Sequence, residues 1–155
     1  MSTATKVRDL TAALNREQAN ALVLYLNLKK YHWLTYGPHF HDIHLLFDDV
    51  ASAVFATIDE LAERAIIIDG KPVADASAYL PLATVHASSG ELSVRASVEE
   101  AIAGLDTIVN EQHEDAGAAA EAGDIGTADL YTRIVQTHQK NRWFLRQILK
   151  KNDGF

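Results

Sequence analysis

Four long segments with the periodicity of an α-helix, separated by glycine and proline, restrict this sequence to an all-α fold. In the first segment, about residues 7–36, apolar residues recur at intervals of three, four and seven, which places them on one face of a helix. Gly37 and Pro38 end it, because proline cannot continue a helix and glycine accepts the left-handed conformation that follows one. The second segment covers about residues 40–69 and stops at Gly70.

A long connection separates these two helices from two more. A short helix over about residues 76–82 is predicted within it. The third long helix begins at Ser97, whose spacing to Glu100 is that of a capping box, and ends before Gly123. The fourth covers about residues 127–151, and the basic residues in its last turns suit the helix dipole. The pattern predicts a four-helix bundle with a crossover between its second and third long helices.

The composition and the charge narrow the class of protein. At 155 residues the chain has the length of one domain, residues 1–155, and it has no cysteine for a disulfide, a thiolate metal site or a nucleophile. It has neither the apolar core of a signal peptide nor an apolar run of membrane length, so we expect a cytoplasmic protein with no membrane partner. The net charge of −7 repels nucleic-acid phosphates and attracts cations. This charge favours metal handling over DNA binding.

Four side chains of metal-binding types lie on one face of the second helix. His44 and Asp48 are four residues apart. The same spacing separates Asp59 from Glu63, and at 100° per residue the four lie within about 100° of one another. Asp48 and Asp59 are roughly 16 Å apart along the helix axis, whereas metal–ligand bonds are about 2 Å long. The two pairs therefore cannot hold one ion within a single chain.

A two-fold axis would bring the two pairs together. If the second helix packs antiparallel against its own copy, His44 and Asp48 of one chain face the other pair on the second chain. The axis would pass near residues 53–54. Small side chains on this part of the helix would let two helices approach each other: Ala51, Ser52 and Ala56.

His32 is predicted to join the same site. It precedes Pro38 by six residues and His44 follows Pro38 by six, so an antiparallel hairpin brings the two imidazoles to the same height. Each interfacial metal site then takes three ligands from one chain and two from its neighbour: His32, His44 and Asp48 with Asp59 and Glu63. Two such sites form in each dimer.

The predicted ligands are of mixed type. Imidazoles and carboxylates together suit ferrous iron, and a shared Glu63 could bridge two ions. Zinc accepts the same ligands. A single carboxylate pair is usually a solvated helix face and a single histidine is usually a hydrogen-bonded polar residue, but five groups that converge through one symmetry operation favour a metal site. Trp33, beside His32, either quenches an oxidant near the site or packs in the core.

These residues make the chain resemble the Dps family of miniferritins. The matching motifs are His32-Trp33, Gly37-Pro38-His39-Phe40, His44-x-x-x-Asp48-Asp49 and Asp59-Glu60-Leu61-Ala62-Glu63-Arg64. With Gly123-Asp124 and Trp143, the resemblance covers nearly the whole chain. It differs from ordinary ferritin, because no helix carries the Glu-x-x-His motif that a di-iron site within one chain needs.

The resemblance implies a ferritin-like bundle that assembles into a dodecamer around a mineral-storing cavity. The shared sites would be ferroxidase centres that oxidise iron from Fe²⁺ to Fe³⁺, and the family commonly prefers hydrogen peroxide to dioxygen as the oxidant. Because a pair of ferrous ions delivers two electrons, no hydroxyl radical is released and the cell is protected. The family's iron-entry pore lies near the start of the fourth helix, where this chain has Glu121, Asp124 and Asp129. Helix capping is the alternative role for Asp124.

One histidine departs from the family pattern. His41 stands where an aromatic residue is expected, and it falls on the site-facing side of the second helix. It is an extra metal ligand, a hydrogen-bond partner of a ligand or a helix-entry residue. The four remaining histidines have no spacing that assigns them a role: His39, His86, His113 and His138.

The termini bear on DNA binding. DNA-binding members of the family often carry a lysine-rich tail, whereas here the N-terminus offers Lys6 and Arg8. The C-terminus offers Lys150 and Lys151. We therefore expect DNA binding to be weak or absent. The alternatives are a nucleoid-associated, DNA-protecting protein of the same family with little iron storage, and a peroxide-detoxifying metal protein that stores little.

Overall fold

The computed structural model describes residues 3–150, and the side chains of residues 6, 7 and 9–150. It contains five helices: α1 (Thr3–Leu34), α2 (Phe40–Ile67), α3 (Ala76–Leu82), α4 (Val94–Glu121) and α5 (Ile125–Leu149). No strand occurs within the described residues, and none of these helices carries an apolar stretch long enough to cross a membrane. The predicted all-α class, the four-helix bundle and the short helix in the crossover are confirmed.

The four long helices form two hairpins that pack around one core. α1 pairs with α2 and α4 pairs with α5, while α1 also packs on α4 and α2 on α5. Fully buried large side chains fill the space between the helices, among them Tyr31, Phe47, Leu105 and Tyr131. Burial of each such apolar side chain contributes about 1.5–3 kcal/mol. This shared burial, more than helix propensity, holds the elements that carry the site.

Left-handed residues end the helices near the predicted breaks. Gly37 has φ +95° and Gly123 has φ +85°, conformations that glycine adopts without steric cost. At the end of α2, Asp69 takes the left-handed position with φ +63°. Gly70 follows in close contact with α1, since a Cβ there would lie within 3 Å of the Thr11 side chain. The helix boundary at Gly70 is therefore set by packing as well as by the turn.

The predicted capping box at the start of α4 is wrong. The helix begins immediately after Ser93, which has an extended backbone and whose Oγ accepts a hydrogen bond from the Ala96 N–H at 3.1 Å. Ser97 is buried inside the helix. Serine is favoured at an N-cap in either position, and the helix begins after Ser93 because the added turn packs Val94 against the core.

Both ends of α5 lie two residues before the predicted positions. α5 begins at Ile125, two residues before the predicted start, because Asp124 caps it and accepts a hydrogen bond from the Thr127 N–H at 3.0 Å. It ends at Leu149. Lys151, which the prediction included, lies outside the described residues.

Asparagine side chains of α1 fix the path of the crossover between α2 and α4. The Asn20 Oδ1 accepts hydrogen bonds from the Thr84 and Val85 N–H groups at 2.7 and 3.0 Å. About two helical turns further on, the Asn27 Oδ1 accepts a hydrogen bond from the Ser88 N–H at 2.9 Å. Val85 is buried like both asparagines, so the bond from its N–H satisfies a backbone donor that has no water as a partner.

Candidate metal centre

Two histidines meet where the end of α1 faces the start of α2. The imidazoles of His32 and His44 stack, with ring centroids 3.7 Å apart and planes at 19°. The His32 Nδ1 lies 2.7 Å from the backbone carbonyl of His44, and the His44 Nδ1 lies 2.8 Å from that of His32. A carbonyl oxygen only accepts, so each Nδ1 carries the proton, and in the neutral ring Nε2 keeps its lone pair. In metal-binding histidines, a hydrogen bond from the ring nitrogen that does not bind the metal fixes the orientation of the ring.

Asp48 lies one turn beyond His44 and already has a cationic partner. Its Oδ1 accepts a hydrogen bond from the Lys29 Nζ at 2.5 Å. That hydrogen bond is the largest cause that lowers the pKa of the Asp48 carboxyl, and the positive charge of Lys29 lowers it further. The carboxylate is thus ionised and held next to the two imidazoles. We call His32, His44 and Asp48 the imidazole half-site.

Asp59 and Glu63, which we call the carboxylate half-site, lie further along α2 with exposed side chains. Their neighbour Glu60 points elsewhere and pairs with Arg133 of α5 at 2.8 Å. Within residues 3–150, no three His, Asp or Glu side chains of one chain form a group that could hold a metal ion. One chain therefore presents two separate parts of the predicted site.

Exposed apolar side chains accompany the two half-sites on α2. Phe55 is 56% exposed and Ile66 is 58% exposed, and at 100° per residue both fall on the face that carries Asp48 and Asp59. Such a row of apolar and ligand-type side chains is typical of a surface that another protein covers. Ser52 and Ala56 are exposed on this helix, as two-fold packing needs, whereas Ala51 is buried within its own chain.

Comparison with known proteins identifies the family. A family model for a ferritin-like domain matches residues 11–154. DNA protection during starvation protein 1 of Deinococcus radiodurans is 34% identical over 143 residues, which cover 92% of this chain and 69% of that protein. The crystal structure of Dps from Thermosynechococcus elongatus is 61% identical with a TM-score of 0.97, and the match covers 100% of this chain and 99% of that chain. The chain belongs to the Dps family of ferritin-like proteins.

A second solved structure links the Dps fold to metal chemistry. Dps from Vibrio cholerae O1 is 31% identical with a TM-score of 0.90, and the match covers 97% of this chain and 94% of that chain. That protein is described as a member of a broad superfamily of ferritin-like diiron-carboxylate proteins. The family and the fold predicted from the histidine and carboxylate motifs of this chain are confirmed.

Trp33 follows His32 at the end of α1, and His41 lies about one turn before His44 in α2. Trp33 is 66% exposed, so the alternative that it packs in the core is wrong. The Lys29 Nζ lies 5.8 Å from the centroid of its ring, a cation–π contact. His41 is exposed, with its Nδ1 3.7 Å from the Asp42 Oδ1. Its predicted role as a ligand and the redox role of Trp33 both stay predictions.

The predicted pore residues differ in their surroundings. Glu121 ends α4 and is exposed, as is Asp129. Asp124 instead caps α5 and forms an ion pair with the Arg64 Nη2 at 2.5 Å. Burial alone would raise the pKa of the Asp124 carboxyl, but hydrogen bonds from Thr127 and Arg64 hold it below its usual range. The capping role is thus confirmed for Asp124, and the pore role of all three stays a prediction.

Sequence reasoning missed Lys29 and a polar group inside the bundle. Lys29 stands three residues before His32, so it lies on the same side of α1. That spacing could have placed its ammonium near the metal ligands. The interior group, which includes Glu17 and Gln112, had no such signal, because it joins residues of α1 and α4 that lie far apart in the sequence.

Proposed function

We propose that this Dps protein is a cytoplasmic ferroxidase that oxidises Fe²⁺ at sites shared by two subunits and stores the ferric product in a hollow dodecamer. The observation that carries the proposal is the pair of reciprocal hydrogen bonds between His32 and His44. These bonds turn both Nε2 lone pairs away from the protein backbone and leave them free for a metal ion. A histidine pair with a merely structural role would have no need of two free nitrogens side by side.

The ligands supplied by a neighbouring copy complete the proposed site. The imidazole half-site and the carboxylate half-site are roughly 16 Å apart along α2, so one chain cannot bring them to the same ion. An antiparallel contact between two copies of α2 would place each imidazole half-site opposite the partner's Asp59 and the partner's Glu63. The exposed Phe55 and Ile66 support this contact, since it would bury them.

The chemistry follows from the donor types. Two imidazole nitrogens and several carboxylate oxygens form a borderline-to-hard set that suits Fe²⁺ and, because carboxylates carry negative charge, favours Fe³⁺ still more. With hydrogen peroxide as the oxidant, two ferrous ions each give up one electron, the O–O bond breaks, and two ferric ions and two hydroxide ions form. Since both electrons are delivered at one site, no hydroxyl radical is released.

Lys29 has a role in the site before substrate binds. Its Nζ lies 2.5 Å from the Asp48 Oδ1, so the positive charge of the ammonium balances the negative charge of the carboxylate. Ferrous iron therefore competes with this ammonium for the Asp48 carboxylate. The imidazole half-site is expected to bind iron more weakly than it would without Lys29.

Mixed cages test whether the site is shared. His32→Ala removes a ligand from the imidazole half-site, and Glu63→Gln removes the charge of a ligand on the carboxylate half-site. When the two variants are co-assembled, a dimer with one chain of each kind has one site with both defects and one site with none. Random pairing leaves about a quarter of all sites intact, so mixed cages should recover about a quarter of the wild-type ferroxidase rate.

The mixed-cage experiment has a matched control on the same helix as Glu63. Glu60→Gln changes a carboxylate that pairs with Arg133 of its own chain, and it should keep the wild-type rate. Cage assembly and mixing are checked by mass, and binding of Fe²⁺ under anaerobic conditions is measured beside the rate. Mixed cages that remain as inactive as both parent cages would show that the ligands do not come from two chains.

A further inference from the structure

A second cluster of carboxyl groups lies between α1 and α4, away from the proposed metal site, with Glu17 at its buried end and Glu111 and Asp115 partly exposed. Glu17 of α1 is completely buried. Its Oε1 accepts hydrogen bonds from the Arg16 Nε at 3.0 Å and the Asn20 Nδ2 at 3.2 Å. Its Oε2 accepts from the Gln112 Nε2 of α4 at 3.1 Å.

Glu111 of α4 uses the same two donors. Its Oε2 lies 3.1 Å from the Arg16 Nε and 2.9 Å from the Asn20 Nδ2. It also accepts from the Thr84 Oγ1 of the crossover at 2.8 Å. Because each donor serves an oxygen of both carboxyls, Glu17 and Glu111 are held side by side.

The cluster has too little positive charge for all of its carboxyls to be ionised. Asp115 also binds the guanidinium, with its Oδ2 2.5 Å from the Arg16 Nη2. One cation therefore faces three carboxyl groups, and a buried carboxylate without its own counter-charge is strongly disfavoured. The titratable group that faces the cluster from α5, Tyr131, adds no positive charge, and burial raises its pKa so that it stays neutral.

Glu17 is the carboxyl that the surroundings favour in its neutral form. Burial raises its pKa to about 8; the hydrogen bond with Glu111 acts in the same direction, and Arg16 opposes both. A protonated carboxyl needs an acceptor for its O–H. Glu111 offers one, and the Oε1 of the buried Gln112, whose amide already contacts Glu17, has no partner among the described residues.

We propose that Glu17 and Glu111 share one proton at neutral pH and so form a proton-binding site that joins α1, α4 and the crossover. Protons can reach the pair from solvent through Glu111, whose side chain is partly exposed. Loss of the proton leaves three carboxylates around one guanidinium, and their repulsion weakens the contact between α1 and α4. The site does not depend on the proposed ferroxidase activity.

The shared proton determines the direction in which the free energy of unfolding changes with pH. The folded chain keeps this proton up to about pH 8, whereas the carboxyl of an unfolded chain releases it near pH 4.5. Between these two values the unfolded state has bound one proton fewer, so stability falls as the pH rises. The equilibrium constant for unfolding should increase by up to about tenfold per pH unit from this site alone.

Glu17→Gln tests the site directly. The amide keeps the size and neutrality of the protonated carboxyl but cannot titrate, so the variant should lose this part of the pH slope. The control is Glu99→Gln, which changes an exposed glutamate of the same helix as Glu111 and should keep the wild-type slope. Urea unfolding of the wild-type cage and of both variants is measured at one protein concentration from about pH 5 to about pH 9.

Infrared spectroscopy of the intact cage gives a readout that does not need unfolding. The wild-type protein at about pH 6 should show the C=O stretching band of a buried protonated carboxyl, which disappears above about pH 9 and is missing from Glu17→Gln. Absence of that band in the wild type, or its persistence in Glu17→Gln, would overturn the proposal. So would a wild-type pH slope in a folded Glu17→Gln cage.

Discussion

His138 of α5 should make this protein sensitive to acid. Its side chain is completely buried, and within the described residues neither ring nitrogen has a hydrogen-bond partner. Burial lowers the pKa of the imidazole from its ordinary value of 6.5 to about 4. An unfolded chain therefore takes up this proton at a higher pH than the folded chain does. Between about pH 6.5 and pH 4 the unfolded state binds more protons, so stability is lost as the pH falls.

The size of the effect follows from the shift in pKa. Each unit corresponds to about 1.4 kcal/mol, so the cost of keeping His138 neutral reaches about 3 kcal/mol per chain at pH 4. His138→Leu removes the titrating group and two unsatisfied polar atoms from the core. We expect the free energy of unfolding of the variant, relative to wild type, to rise by about 3 kcal/mol when the pH is lowered from about 7 to about 4.

Urea unfolding at several pH values and one protein concentration measures this difference. Subtraction of the wild-type curve removes the contribution of other groups, including the opposite slope expected from Glu17. His113→Gln is the matched control, because His113 is an exposed histidine of α4, and it should follow the wild type. A difference between His138→Leu and wild type that stays constant across the range would refute the argument, since His138 would then be able to charge in the folded state.

Three further outcomes are expected. Lys29→Gln removes the ammonium that competes for Asp48, so anaerobic titration calorimetry should show tighter Fe²⁺ binding than in wild type. Unchanged affinity would show that Lys29 does not compete with iron for Asp48. Asp124→Ala removes the cap of α5 and the partner of Arg64, and urea unfolding should show a loss of about 2 kcal/mol; a loss below about 0.5 kcal/mol would contradict the capping argument. With a net charge of −7 per chain, cages should not shift duplex DNA in a gel at physiological salt; a shift at stoichiometric cage concentration would favour the DNA-protecting alternative.

Much of the fold could be predicted from the sequence because its signals are local. Apolar periodicity sets a helix and the face it buries, while glycine and proline set where the chain turns. The end of the first helix near Gly37 and the short helix over residues 76–82 follow from such signals. The stripe of ligand-type residues on α2 is equally local, because positions four apart on a helix must share a face.

Local signals fail where packing overrides a motif. Ser97 and Glu100 have the spacing of a capping box, yet α4 begins after Ser93, because the added turn packs Val94 against residues far away in the sequence. The capping role of Asp124 could be predicted, because its bond to the Thr127 N–H is local. Its ion pair with Arg64 of α2 could not, because that partner lies 60 residues away in the sequence.

The candidate site, like the fold, was partly determined by local signals. The sequence by itself determined the position of each residue along its helix and the face on which it lies, and so it determined His32, His44 and the carboxylates of α2 as candidate ligands. Only the tertiary structure decided which atoms of these groups carry protons. The deciding contacts are the reciprocal hydrogen bonds of the two imidazoles, the Lys29 ammonium on Asp48 and the burial of Glu17. Protonation depends on the surroundings of a group in all directions, and a one-dimensional pattern specifies only its neighbours along the helix.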